Sequence, residues 1–194
     1  MSFNSNSRTA DSRPAGGILP GPDLERRRAL LFALSLPALF WLPRPVRANT
    51  EGLSGLKRWG NGTFHRFGVL VYEATLWASD DPHRPPRALR IDYRRRIAGN
   101  VIASASVKEM QRFVADEMRL QRWEERMRQV FPDVKPGDHL LGIHGGDGID
   151  FYQENRLIGQ IDGADFADAF FAIWLDERTS APALRAALLR PPEG

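Results

Sequence analysis

The chain has 194 residues, no cysteine and a formal charge of +3, with an isoelectric point near 9.7. That length holds one domain plus an extension, and the missing cysteine excludes a disulfide framework and any thiolate site. The positive balance sits in residues 1–48, where seven arginines face only Asp11, Asp23 and Glu25. Residues 49–194 carry 20 basic and 21 acidic side chains, so no concentrated positive surface points to nucleic acid.

Residues 1–23 are rich in Ser, Arg, Pro and Gly and are expected to be disordered. Arg26-Arg27-Arg28 then precedes the apolar run Ala29–Leu42, and Val46-Arg47-Ala48 follows with small or modest residues at the −3 and −1 positions of a cleavage site. A basic region, an apolar run and a small-residue end describe a signal peptide, which implies export to the periplasm with a retained N-terminal anchor as the alternative. Pro37 interrupts the run, which is shorter than the roughly 17–25 residues of a bilayer span. Arg27-Arg28-Ala29-Leu30-Leu31 loosely resembles a twin-arginine core. The expected division is a leader over 1–48 and one domain over 49–194.

In the domain, Leu53–Trp59 reads as a short strand and turn. Phe64–Trp77 is a long apolar run, a strand covered on both faces or bent at Gly68. Asp80–Pro86 is a proline-stiffened loop. Arg87–Ile97 alternates cleanly, with Leu89, Ile91, Tyr93 and Ile97 on one face and Arg90, Asp92, Arg94 and Arg96 on the other, a solvated one. Ser106-Val-Lys-Glu109 reads as a capping box opening a helix. A phase shift near Asp116–Glu117 splits the following stripe into a kinked helix or two abutting ones. Asp138–Ile143 reads as a strand, Gly145–Gly148 as a turn, and Ile149–Tyr152 with Leu157–Ile161 as a hairpin.

Phe166, Ala169, Phe170, Ile173 and Trp174 then form an apolar helical stripe, with Asp162 as expected cap, and a short helix follows from Pro182 to near Leu189. Strands, helices, strands, helices give an α+β fold: an antiparallel sheet with helices layered on one face.

No serine elbow, metal-spaced histidine cluster or enclosed carboxylate pair is evident. Alternation sends His139 and His144 to opposite faces of their strand. His65, between Phe64 and Phe67, is a candidate axial ligand for haem iron. Tyr72 and Tyr93 bring hydroxyls to apolar strand faces, where they would orient a ligand in a cavity beneath the helices.

Several segments together resemble the bacterial chalcone isomerase-like family: Gly60-Asn-Gly62 followed by Val71-Tyr-Glu-Ala74, Ala88–Tyr93, Ser106–Met110, Phe131-Pro-Asp-Val-Lys-Pro-Gly-Asp138, and Phe170-Phe-Ala-Ile-Trp-Leu-Asp176 with Thr179–Arg185. The resemblance implies an open antiparallel sheet backed by helices with a ligand cleft between the layers. It includes enzymes that close a flavanone ring, using an arginine to stabilise the attacking phenolate, as well as fatty-acid-binding and non-catalytic members. The arginine tends to lie two residues after Gly-x-Gly, and that position here is Phe64, with Arg66 beyond it and Arg58 before the motif. The expected function is therefore an exported, non-catalytic binder of a small apolar ligand with an acidic group, a fatty acid or lipid, or else haem. Arg58, His65, Arg66, Tyr72 and Tyr93 are the candidate ligand-binding residues. The competing expectation is an intramolecular lyase acting on a conjugated phenolic substrate. Peripheral membrane association is a further expectation.

Overall fold

The computed structural model describes residues 53–192, so the leader lies outside the described residues. Six strands form one antiparallel sheet in chain order, β1 (Lys57–Arg66), β2 (Val69–Ala78), β3 (Arg87–Tyr93), β4 (His139–His144), β5 (Gly148–Gln153) and β6 (Arg156–Asp162). Four helices, α1 (Gly99–Met110), α2 (Glu117–Val130), α3 (Ala164–Leu175) and α4 (Pro182–Leu188), complete the α+β fold.

The pairing Leu76↔Leu89↔Gly142↔Phe151↔Gly159 runs across five strands and places these residues on one face. A Cβ on Gly159 would strike Val130 of α2, and a Cβ on Gly62 would strike Ala187 and Leu184 of α4. The helices therefore lie on that face, and the glycines let them approach. The opposite face carries the ion pairs Arg90–Asp92 and Arg94–Glu73, the solvated face expected from the alternation.

Helix α3 supplies the largest apolar contribution, burying Phe166, Phe170, Phe171, Ile173 and Trp174. Each large side chain removed from water is worth about 1.5–3 kcal/mol, so this helix holds the layers together. Phe170 touches Phe131, Phe151, Phe166, Phe171 and Trp174 at ring-centroid distances of 5.2–6.4 Å, the offset and edge-to-face spacing that aromatic rings prefer.

Five local expectations are corrected. The run Phe64–Trp77 is two strands, because Phe67 (φ 51°) and Gly68 (φ 77°) turn the chain between β1 and β2. Strand β1 begins at Lys57 and runs for ten residues, whereas Leu53 lies in a turn ahead of it. Strand β3 ends at Tyr93, and Ile97 instead bridges Val134.

Ser106 opens nothing: it lies inside α1 and its Oγ donates to the Ile102 carbonyl. The Phe131–Asp138 segment does that work from a distance. Asp133 accepts from the Gly99 N–H at 2.9 Å, supplying the start of α1 with a carboxylate. Finally, α3 is entered through Gly163 at φ 106° with no side-chain cap, and Asp162 closes β6 instead. The phase shift near residue 116 is real: α1 stops at Met110, and Asp116 caps α2 by accepting from the Arg119 N–H.

Candidate functional site: an apolar cavity beneath the helices

Between sheet and helices lies a cavity of about 410 Å³, within the roughly 300–1,000 Å³ of sites that enclose small molecules. Its sheet wall is Phe64, Tyr72, Leu89, Ile91, Tyr93, Leu140, Gly142 and Phe151. Its roof is Ile102, Phe170, Ile173 and Trp174, with Phe131 from the end of α2. Gly142 deepens the floor, since a Cβ there would press on Ile149 and Phe151.

Four hydroxyls lie on the inner wall, but those of Ser106 and Thr179 are spent on the Ile102 and Ile173 carbonyls, which leaves the phenols of Tyr72 and Tyr93. Tyr72 and Tyr93 are cross-strand partners with ring centroids 6.3 Å apart. The Tyr72 hydroxyl accepts from Trp174 Nε1 at 3.1 Å, which leaves its own O–H free to donate. The Tyr93 hydroxyl, on a side chain only 4% exposed, makes no hydrogen bond among the described residues. Burial pushes the Tyr72 phenol up to about 12, the Trp174 bond lowering it and Glu109 raising it further. Burial raises Tyr93 as well, with Tyr72 adding to it. Both phenols are therefore neutral donors throughout the physiological range.

The exposed lining residues are Arg66 at the end of β1, Val101, Ala105, Lys108 and Arg112 on or just after α1, and Ser180. They mark the mouth. Arg112 pairs with Glu109 at 3.0 Å, while Arg66 and Lys108 have no ion pair among the described residues. The mouth therefore carries three cations against one carboxylate.

Of the five residues singled out in the sequence, Arg66, Tyr72 and Tyr93 line this cavity. Arg58 does not; it lies near the start of β1, donating to Asn61 Oδ1 at 3.2 Å. His65 is exposed on β1 and is likewise absent from the lining. Phe64 and Arg66, two residues apart on β1, both reach the cavity. No histidine or methionine lines it, so the cavity does not fit haem ligated through His65.

Phe64, at the position that the family resemblance gives to arginine, stacks on Tyr72 with centroids 4.9 Å apart and rings 18° from parallel. A flat apolar ring thus covers the phenol where a guanidinium would sit. The side chains that sequence reading missed are Lys108 and Arg112, indistinguishable by pattern from any solvated helix face, and Trp174, whose stripe position revealed its packing but not its bond to Tyr72.

Among the described residues no cluster of His, Asp and Glu could hold a metal ion, and no helix is long and apolar enough to cross a membrane.

A crystal structure of an Arabidopsis thaliana fatty-acid binding protein is similar in fold, with a TM-score of 0.54 at 10% sequence identity over 70% of this chain and 87% of that one. At that identity the likeness speaks for the fold. Comparison with curated proteins gave no match. The family model described as chalcone isomerase-like matches residues 49–190, which takes in every strand and helix above and the whole lining of the cavity; the chain belongs to the chalcone isomerase-like family.

Proposed function

We propose that this domain is a non-catalytic binder of an apolar molecule with an acidic group, a fatty acid or related lipid, working outside the cytoplasm after removal of its leader. The observation that carries the reading is the composition of the cavity. Its inner wall is apolar apart from two neutral phenols and the Ser106 and Thr179 hydroxyls, both already bonded to backbone carbonyls, and its cations stand at the mouth.

Such a slot removes a hydrocarbon tail from water, at about 0.8 kcal/mol per buried CH₂. Arg66, Lys108 and Arg112 then meet the acid at the rim, where both partners keep part of their hydration. The phenol of Tyr93, which has no protein partner, is available to a polar atom carried deeper.

Ring closure asks for more. A developing phenolate needs a fixed positive group aimed at it inside a water-excluded site, and Phe64 occupies that place with an aromatic ring. The fatty-acid binding role of the Arabidopsis protein of similar fold is consistent with carriage. Export follows from the leader: a basic triplet, an apolar run and a cleavage site after Ala48.

The test is to recover the protein from its own cell envelope and examine it by native mass spectrometry and visible absorbance. The reading expects a mature N-terminus just after Ala48 and a bound fatty acid or lipid. A Soret band would replace it with haem carriage. An empty cavity together with turnover of a chalcone would overturn it in favour of the lyase.

A further inference from the structure

At one end of the sheet the β1–β2 turn exposes Phe67 almost completely, at 93%, with Val69 beside it. Phe67 also holds a φ of 51°, a left-handed conformation that costs a bulky side chain about 1–2 kcal/mol relative to glycine or asparagine. A large apolar ring is thus presented to solvent at a position where a small residue would be more comfortable. The Arg66 guanidinium lies over this ring, 5.5 Å from its centroid, and Arg66 also lines the cavity mouth. The turn and the mouth are therefore contiguous.

Basic groups surround them. The chain leaving β3 brings Arg95 against the same hairpin, its Nε donating to the Leu70 carbonyl at 3.2 Å, and Arg96 follows it, exposed. Lys108 and Arg112 stand across the mouth. Nearby Glu73 and Glu109 are already paired with Arg94 and Arg112. The surface therefore offers an apolar tip among cations of which Arg66, Arg95, Arg96 and Lys108 have no ion pair among the described residues, although the domain as a whole is slightly acidic.

We propose that the β1–β2 turn docks the domain on an anionic lipid surface, with Phe67 and Val69 entering the headgroup boundary and Arg66, Arg95 and Arg96 meeting lipid phosphates. An exposed aromatic flanked by arginines fits that interface, since the ring leaves water while each nearby cation gains attraction from the negative surface. Docking this way turns the cavity mouth toward the membrane. This rests on the lipid-binding reading above, because it supplies the route by which such a ligand would enter.

The chain has no native cysteine, so a single Val69→Cys substitution carries an environment-sensitive fluorophore at the turn alone. Arg84→Cys, in the exposed loop at the opposite end of the strands, is the control. Protein recovered from its own cell envelope, without its leader, is mixed with vesicles of phosphatidylcholine containing phosphatidylglycerol, and with pure phosphatidylcholine vesicles. The expected result is a blue shift at position 69 with the anionic vesicles, none at position 84, and loss of the shift in high salt.

Adding Phe67→Asn, which suits the left-handed turn and leaves the cavity lining intact, is expected to weaken the response about tenfold or more, as loss of one buried aromatic implies. Arg95→Glu with Arg96→Glu should weaken it by at least as much. Equal shifts at both positions, equal response to neutral vesicles, or indifference to Phe67→Asn would overturn the proposal. Binding of a free fatty acid in solution, without vesicles, should be unchanged by Phe67→Asn. Failure there, with the wild-type protein, would strike the lipid-binding reading itself rather than the docking surface.

Discussion

If the cavity is an apolar slot rather than a water-filled one, its two phenols must resist ionisation. In the unfolded chain a tyrosine loses its proton near pH 10. In the fold, Tyr72 is pushed up to about 12 by burial, and Tyr93 is raised too. A raised value means that the folded state keeps its proton when the unfolded state has lost it. The stabilisation is thus whole below about pH 10 and drains away as pH climbs through the folded value.

For Tyr72 the full loss is about 2.7 kcal/mol, two units at about 1.36 kcal/mol each. At about pH 11 each of the two phenols has lost about 1.4 kcal/mol, so the pair has lost about 3 kcal/mol. Urea unfolding of wild type and of Tyr72→Phe with Tyr93→Phe, near pH 8 and near pH 11, isolates this term. Tyr152 and the lysines are common to both proteins and cancel. The double variant starts lower at neutral pH, because Trp174 Nε1 loses its acceptor at a cost of about 1 kcal/mol. It should nevertheless fall by about 3 kcal/mol less than wild type on going to about pH 11. Spectrophotometric titration of the folded protein supplies the refutation. Two phenols ionising near pH 10 would mean water at the inner wall, and the apolar slot would be lost with them.

Other consequences are more local. Gly99→Ala drives a Cβ into the Phe131 backbone carbonyl, and thermal unfolding should show a loss of about 2 kcal/mol or more, because backbone on both sides must move. Asp168→Ala leaves the buried Arg87 guanidinium, 4% exposed, without the carboxylate 2.7 Å from its Nη2. Denaturant midpoints should report about 1.5–3 kcal/mol, and Asp168→Asn, which keeps an acceptor, should cost less. Phe67→Asn relieves a left-handed phenylalanine and should raise stability by about 0.5–1 kcal/mol, an outcome that separates its effect on docking from any effect on folding.

Much of the architecture could be read from pattern because single elements carried their own periodicity. The stripe Phe166–Trp174 revealed α3, the alternation Leu89–Tyr93 revealed β3 and the helix-facing wall of the cavity, and the phase shift near residue 116 marked a break that left a kinked helix and two abutting helices both open. What escaped was settled by partners distant in sequence. The start of α1 depends on Asp133, 34 residues away, and on a glycine that fits against the Phe131 carbonyl. Nothing local distinguishes Gly99 from Ser106 as an opening.

Strand β1 was hidden because Gly60, Asn61, Gly62 and Thr63 lack the branched and aromatic residues that mark strands; two of these glycines are small to admit α4. The site divided along the same line. Tyr72 and Tyr93 were legible as hydroxyls on apolar strand faces, and Arg66 reaches the cavity from the end of β1. Arg58 followed from sequence proximity to the glycine motif and His65 from its place between Phe64 and Phe67, neither of which says which face or end of β1 a side chain occupies. The buried Arg87 and His144, with the exposed Asp168, had no sequence signal, since Arg87 opens a polar-looking stretch and finds its partners in β4 and α3.

Occupancy of the slot is the claim on which the rest stands, and calorimetric titration of a long-chain fatty acid into the wild-type protein and into Ala105→Trp addresses it directly. Ala105 is exposed at the mouth on α1, so an indole there obstructs entry while sparing the core. Saturable one-to-one binding by the wild type, weakened at least tenfold by the obstruction with the thermal midpoint nearly unmoved, is the expected result. Wild-type protein that takes up no fatty acid, or an obstructed variant that binds as well as wild type, would contradict it.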